Sequence, residues 1–363
     1  MHRRVVLLST VALAVAGALV PGGAAQASAG TGLDPRPFGW SVTDSGSERR
    51  TVLEYWTPQR MLAAQPLAAP EPRRTRSAGP TEGNPWATQG ASTRTSRSTP
   101  WTTRGASAVT PQGAPWSVGG TASAVTVQQQ AVVPNSPGLR WTDGGAVVRT
   151  TGRVFFTTAE GGNASCSGSA VTSANESVVM TAGHCVKLNG ASHRNWVFVP
   201  GFDNGRRPFG TWAATRLLTT QQWNAREDIN FDVAAAVVAP LNGRTLTDVV
   251  GGQGVAFNQP RQRQMFSFGY PAAAPFNGSR LIYCSGRTFN DTVMTNDQGL
   301  RCNMTGGSSG GPWFLGFNES TGLGWLNSVN SFKYDFAQNF MFGPFFGNEA
   351  MAVYQAAQRA NAL

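Results

Sequence analysis

Apolar residues in the second half of the chain come in short runs separated by Gly, Asn and Pro. The clearest are Arg153 to Thr158, Ser177 to Thr181, Asn195 to Val199, Phe231 to Val238, Met265 to Phe268, Leu281 to Cys284 and Trp325 to Phe332. Short runs rich in β-branched and aromatic residues and bounded by turn residues predict strands. Many short strands without a helical period predict a barrel or a sandwich. One stretch breaks the pattern. Residues 348–362 are rich in Ala, Met, Gln and Arg, and Met351, Tyr354, Ala357 and Gln358 fall near one helical face. The expected class is therefore all-β with a single C-terminal helix.

The first half reads differently. His2, Arg3 and Arg4 precede an apolar run from Val5 to Val20, and Ala25-Gln26-Ala27 follows as a small-x-small cleavage signal. This is the pattern of a secretory signal peptide over residues 1–27. The run is shorter than the ~20 residues needed to span a bilayer, and no later stretch is apolar and long enough. The expectation is a secreted, extracellular protein without stable membrane association. Residues 28–137 are dominated by Thr, Ser, Pro, Ala and Gly, with Pro-Trp repeating at Trp86, Trp101 and Trp116. The 15-residue period is shorter than any solenoid unit and offers no apolar face to stack. It predicts a flexible linker or pro-segment. The alternative is that the tryptophans bind a wall polymer or a partner. Ahead of the repeats, Thr57 and Pro58 predict the cap and first turn of a short helix, the ordered part of a propeptide.

Composition narrows the chemistry. The 363 residues carry a net charge of +10, almost all of the basic charge being arginine. From residue 138 onward the arginines are scattered rather than gathered on a face, so no nucleic-acid partner is expected. Three histidines exclude most His-rich metal sites. Four cysteines in an exported chain, Cys166, Cys185, Cys284 and Cys302, predict two disulfides. Three connectivities are possible, and the short spacings favour two local pairs. Each would contribute about 3 kcal/mol on a chain-entropy model. A zinc site would want a Cys-x-x-Cys spacing, which is absent.

Nucleophilic catalysis at serine needs a base within hydrogen-bond reach, an anion to orient that base, and N–H groups to hold an oxyanion. After removal of the leader, His184 and His193 are the only histidines. His184 closes the run Val178-Val179-Met180-Thr181-Ala182-Gly183-His184-Cys185, where small residues permit a tight turn. His193 lies in the polar stretch 189–195 and reads as a surface-loop residue. The serine candidate is Ser309, within Thr305-Gly306-Gly307-Ser308-Ser309-Gly310-Gly311-Pro312. Four glycines around two serines allow consecutive N–H groups to turn inward as an anion nest, with Gly307 and Ser309 as donors. Asp232 heads an apolar run and, if buried, needs a partner. Asp228 is the second choice. The order His184, Asp232, Ser309 excludes the Gly-x-Ser-x-Gly elbow of α/β-hydrolases, whose histidine follows the serine.

With these motifs in place, the chain resembles the chymotrypsin-like serine endopeptidases. Thr-Ala-Gly-His-Cys at 181–185, Asp-Val-Ala at 232–234 and Gly-Ser-Ser-Gly-Gly-Pro at 307–312 carry the likeness, which covers about residues 150–335. The resemblance implies two six-stranded antiparallel β barrels with the active site in the cleft between them. His184 and Asp232 would come from the first barrel (about 138–245) and Ser309 from the second (about 250–345). The helix would follow at about 348–362. Cys166–Cys185 would match the family's disulfide beside the histidine. Ser308 stands where trypsin has an aspartate that receives the freed N-terminus, so the chain is more similar to the bacterial glutamyl-endopeptidase branch. The substrate pocket would have Asn303 at its base and Asn330, Ser331 and Lys333 on its wall. Neither a trypsin-like nor a glutamate preference follows from those residues.

The expected protein is thus a secreted serine endopeptidase made as a precursor, with residues 28–137 removed from the catalytic domain 138–363. Polypeptide substrates and its own pro-segment are the expected partners. It would act as a monomer without metal or other cofactor. The rival is a non-catalytic, protease-like binding protein that uses its tryptophan repeats.

Overall fold

The computed structural model describes residues 36–67, 70–72, 113–121 and 135–362. The expected signal peptide and the repeats at Trp86 and Trp101 lie outside the described residues.

Two short strands, β1 (Phe38–Ser41) and β2 (Gln65–Pro66), flank helices α1 (Gly46–Tyr55) and α2 (Pro58–Ala63). Strands β3 (Trp116–Val118) and β4 (Leu139–Arg140) follow. The first barrel begins with β5 (Thr151–Thr157), β6 (Asn163–Val171) and β7 (Val178–Thr181). It is completed by Arg194–Pro200, Trp212–Thr219 and Ala234–Val238, and the pairing of the last strand with both Trp212–Thr219 and β7 closes it. Every residue of β5 and of Ala234–Val238 is buried, which explains why those runs are apolar or small apart from Arg153.

Strand β6, with the sequence Asn-Ala-Ser-Cys-Ser-Gly-Ser-Ala-Val, was not legible as a strand because it has almost no large apolar residues. Its small side chains are a packing requirement. A Cβ on Gly168 would lie 2.9 Å from Val179 and 3.2 Å from Val154 on the neighbouring strands.

The second half is a seven-stranded sheet with a smaller three-stranded sheet beside it. The larger runs β3, Gly254–Phe257, Leu323–Val329, Pro312–Asn318, Gln264–Gly269, Ile282–Arg287 and β4. All its neighbours are antiparallel except Gly254–Phe257 with Leu323–Val329. The C-terminal helix, Asn348–Arg359, buries Ala350, Val353, Tyr354 and Ala357. Its last turn is tied to the first barrel, where Asn175 Nδ2 donates to the carbonyls of Ala357 and Ala360. The architecture is the two-barrel arrangement that the resemblance implies.

Residues 36–67 and 113–121 pack on the two halves: the short helix expected at Thr57 and Pro58 is present, and the third repeat is ordered around Trp116 where a flexible linker or pro-segment was expected. β1 pairs antiparallel with Trp212–Thr219, and β2 pairs parallel with β6. Ser45 and Glu48 form a capping box on α1, while Thr57 caps α2 with Pro58 as its first residue. Val52, Trp56 and Met61 are buried in the first barrel's core, and Trp56 Nε1 donates to the Asn195 carbonyl at 2.6 Å. Trp116, from the third repeat, joins the second sheet through β3 and stacks on Phe257. These contacts escaped the sequence reading because strands of two to four residues carry too little periodicity to register.

Candidate active site

The chain turns at the end of β7 through a single 3₁₀ turn, Gly183–Cys185, and this turn presents His184. Gly183 has to be glycine, since a Cβ there would lie 2.7 to 2.8 Å from the Trp223 ring. The turn is fixed from three sides. Cys185 is bonded to Cys166 on β6, Trp196 Nε1 donates to the Cys185 carbonyl, and His193 Nε2 lies 3.0 Å from the His184 carbonyl. His193 is therefore not the surface residue its polar neighbours suggested. It is buried and stacked on Phe156 with ring centroids 4.2 Å apart. Burial pushes its imidazole down to about 4, so it is neutral at pH 7 and donates from Nε2 to that carbonyl. The second disulfide, Cys284–Cys302, makes the other local pair.

Asp232 follows the 3₁₀ turn Ile229–Phe231 and precedes the strand that pairs with β7, so it meets His184 across that ladder. Its carboxylate is fully buried and accepts three hydrogen bonds. The His184 backbone N–H reaches Oδ1 at 2.8 Å. His184 Nδ1 and Ser331 Oγ reach Oδ2 at 2.7 and 2.5 Å. A buried carboxylate accepts only, so Nδ1 carries the proton and Nε2 bears the ring's free lone pair. Nε2 is buried without a partner among the described residues. Asp228, the second choice, is used elsewhere: it takes Arg226 and the Asn230 amide.

The loop carrying Ser309 is held against the first barrel. Ser167 N–H donates to the Ser309 carbonyl at 2.7 Å, and Ser167 Oγ donates to the Gly307 carbonyl at 2.9 Å. Gly310 has φ +76°, and a Cβ there would fall 2.0 Å from Thr181 Oγ1 and 2.8 Å from Ala182 N. The loop therefore abuts the residues that lead into His184. Gly307 has φ +92°. The N–H groups of Ser308, Gly310 and Gly311 bond to Thr305, Asn330 and Ser308 carbonyls. Those of Gly307 and Ser309 take no part in the loop's hydrogen bonds, which suits them to receive an oxyanion.

Of the expected pocket residues, Asn330 is corrected. Its side chain is fully buried and its hydrogen bonds are spent internally. Oδ1 accepts from Ser267 Oγ and Trp313 Nε1, and Nδ2 donates to the Phe268 and Ser308 carbonyls. It braces the loop that carries Ser309. Ser331 turns its hydroxyl to Asp232. No pattern around Ser331 in the sequence signalled this, because the contact spans 99 residues. The Oδ1 of Asn303 is buried without a partner among the described residues, beside Gly138. Lys333 is half-buried, not freely solvated, with Nζ donating to the Cys302 and Gln338 carbonyls. Burial pushes its ammonium down to about 8. Beside this region Asp297 is buried with both carboxyl oxygens unpaired. Burial, and then the negative charge of Asp232, hold it well above the ordinary carboxylate range.

The cluster of candidate metal ligands formed by Cys166, Cys185 and His184 has both sulfurs in a disulfide, leaving no thiolate for a metal.

No protein-family model and no curated protein matches the chain. Solved structures do. The protease Anisep from Arthrobacter nicotinovorans is 44% identical, with a TM-score of 0.57 over 61% of this chain and 100% of its own. A thermostable serine protease from an extremophilic microorganism is 46% identical, with a TM-score of 0.56 over 60% of this chain and 100% of its own.

Proposed function

The chain belongs to the chymotrypsin-like serine proteases, and on that premise we propose that it is a secreted endopeptidase, made as a precursor, that works through His184, Asp232 and Ser309. The observation that carries this reading is the state of His184. Its Nδ1 side is gripped by a buried carboxylate while Nε2 is left without a partner. In the reaction Nε2 takes the proton of Ser309 Oγ as that oxygen attacks the peptide carbonyl. Asp232 keeps the ring in the required tautomer and stabilises the imidazolium. The N–H groups of Gly307 and Ser309 receive the oxyanion. Nε2 returns the proton to the leaving amine, and water, deprotonated in the same way, releases the acyl group.

Export and processing fit this reading. Two disulfides suit an oxidising compartment. The solved proteases match about three-fifths of the chain across their full length, a share close to that of the residues from 138 onward. We propose Asn303 and Lys333 as the side chains that meet substrate.

The test is hydrolysis of a denatured protein by the processed enzyme. The expected result is cleavage that Ser309→Ala and His184→Ala each abolish while the fold is retained. Cleavage that survives Ser309→Ala would refute the mechanism. A folded, processed protein that cleaves nothing and retains a wall polymer would favour the binding-protein reading.

A further inference from the structure

The stretch 36–67 plays no part in the chemistry above, yet it is packed on the first barrel beside the nucleophile loop. We propose that it is an inhibitory clamp on the chain's own active site. Trp56 and Met61 would anchor it, and Gln65, Pro66 and Leu67 would close one arm of the substrate path. The proposal rests on Ser309 being the nucleophile.

The anchoring is substantial. Trp56 and Met61 are 1% and 0% exposed within the barrel's core, and β1 adds an antiparallel ladder to Trp212–Thr219. The closing strand lies against the loop that carries Ser309. β2 pairs with β6 at Ala164 and Ser165. Two residues further along β6, Ser167 holds the Ser309 and Gly307 carbonyls. Leu67 N–H donates to the Ser165 carbonyl at 3.1 Å, and Ser165 Oγ, itself held by buried Arg153, donates to the Gln65 carbonyl. Beyond that pairing the clamp meets the loop itself, since a Cβ on Gly306 would lie 3.2 Å from Leu67 O and 3.4 Å from Pro66 Cβ.

A polypeptide with its carbonyl at Ser309 must run out of the site in both directions. Exposed strand edges take such extended chains through main-chain hydrogen bonds. Here the edge of β6 nearest Ser309 is already filled. The site is closed in keeping with this: His184 is 0% exposed and Ser309 only 4%.

Cutting the chain between 81 and 111 turns this contact into a bimolecular one, so dilution should release the clamp. The experiment inserts the recognition sequence of a site-specific protease there, cuts the full chain, and follows Ser309 labelling by a fluorophosphonate. Uncut chain should label slowly. Cut chain should label at a rate that rises about tenfold or more with dilution, and Trp56→Ala should weaken retention of the fragment about a hundredfold. Fragment retention is measured separately on cut Ser309→Ala protein, by size-exclusion chromatography. Should Trp56→Ala fold poorly, the dilution series on unsubstituted protein decides alone. Labelling that is equally fast in uncut, cut and diluted protein would overturn the clamp and leave the nucleophile intact. Absence of labelling in every form would overturn the nucleophile assignment, and the clamp with it.

Discussion

The two sides of the Ser309 loop use similar polar side chains to different ends. On the side of the first barrel, Asp232 collects His184 N–H, His184 Nδ1 and Ser331 Oγ, and every bond converges on one carboxylate. On the side of the second sheet, Asn330 spreads its bonds over four partners, and Lys333 ties down two carbonyls. Among the described residues, His184 Nε2 and Asn303 Oδ1 are buried without a partner, as are His193 Nδ1 and both carboxyl oxygens of Asp297. Buried polar atoms without partners are rare and need a reason. The saturated groups, Asp232, Asn330 and Lys333, hold the surroundings of the Ser309 loop in place, while His184 Nε2 is the atom that the proposed mechanism needs free.

The sharpest way to break this comparison is Asp232→Asn. The amide presents a donor to Nδ1 and favours the wrong tautomer, so kcat should fall by about ten thousandfold with the fold intact. A loss below about tenfold would mean that the carboxylate does not orient His184.

Asn330→Leu probes the other side. It strands Ser267 Oγ and Trp313 Nε1 in the interior, and denaturant unfolding should show a loss of about 3 kcal/mol or more. A pocket-wall residue would instead change KM and leave stability alone.

Ser331→Ala removes one hydrogen bond to a buried charge. That is expected to cost about 2 kcal/mol of support for Asp232, which would appear as a fall in kcat of about tenfold or more with KM little changed. A change in KM alone would return Ser331 to the pocket.

The smallest effect concerns Lys333. Its folded value of about 8 lies below its ordinary 10.5, so between these pH values the unfolded chain binds more protons than the folded one. Stability should therefore rise with pH across that window, the cost of burying the charge being complete below it. Lys333→Met should flatten this rise in a series of melting temperatures, and an unchanged slope would show that Lys333 is effectively solvated.

Much of the reacting side was legible in the sequence, because it depends on local features. A turn ending in His184, an acid heading an apolar strand and a glycine-flanked serine each leave a short pattern. The side of Asn330 and Ser331 was not, because these residues are defined by partners 17 to 99 residues away for which no local pattern exists. The same holds for the fold. The continuously apolar strands were visible, whereas β6 was hidden by its small residues, and the docking of 36–67 depends on single side chains such as Trp56 and Met61. The helix at Pro58 was foreseen from its cap, but its burial against the barrel was not.

The account stands or falls on whether Ser309 is a nucleophile activated by its surroundings. Treatment of the processed, folded enzyme with a fluorophosphonate, followed by peptide mapping, tests this directly. One adduct on Ser309, absent from His184→Ala protein under the same conditions, is the predicted result. A folded enzyme that takes up no label, or takes it up at another residue, would contradict it.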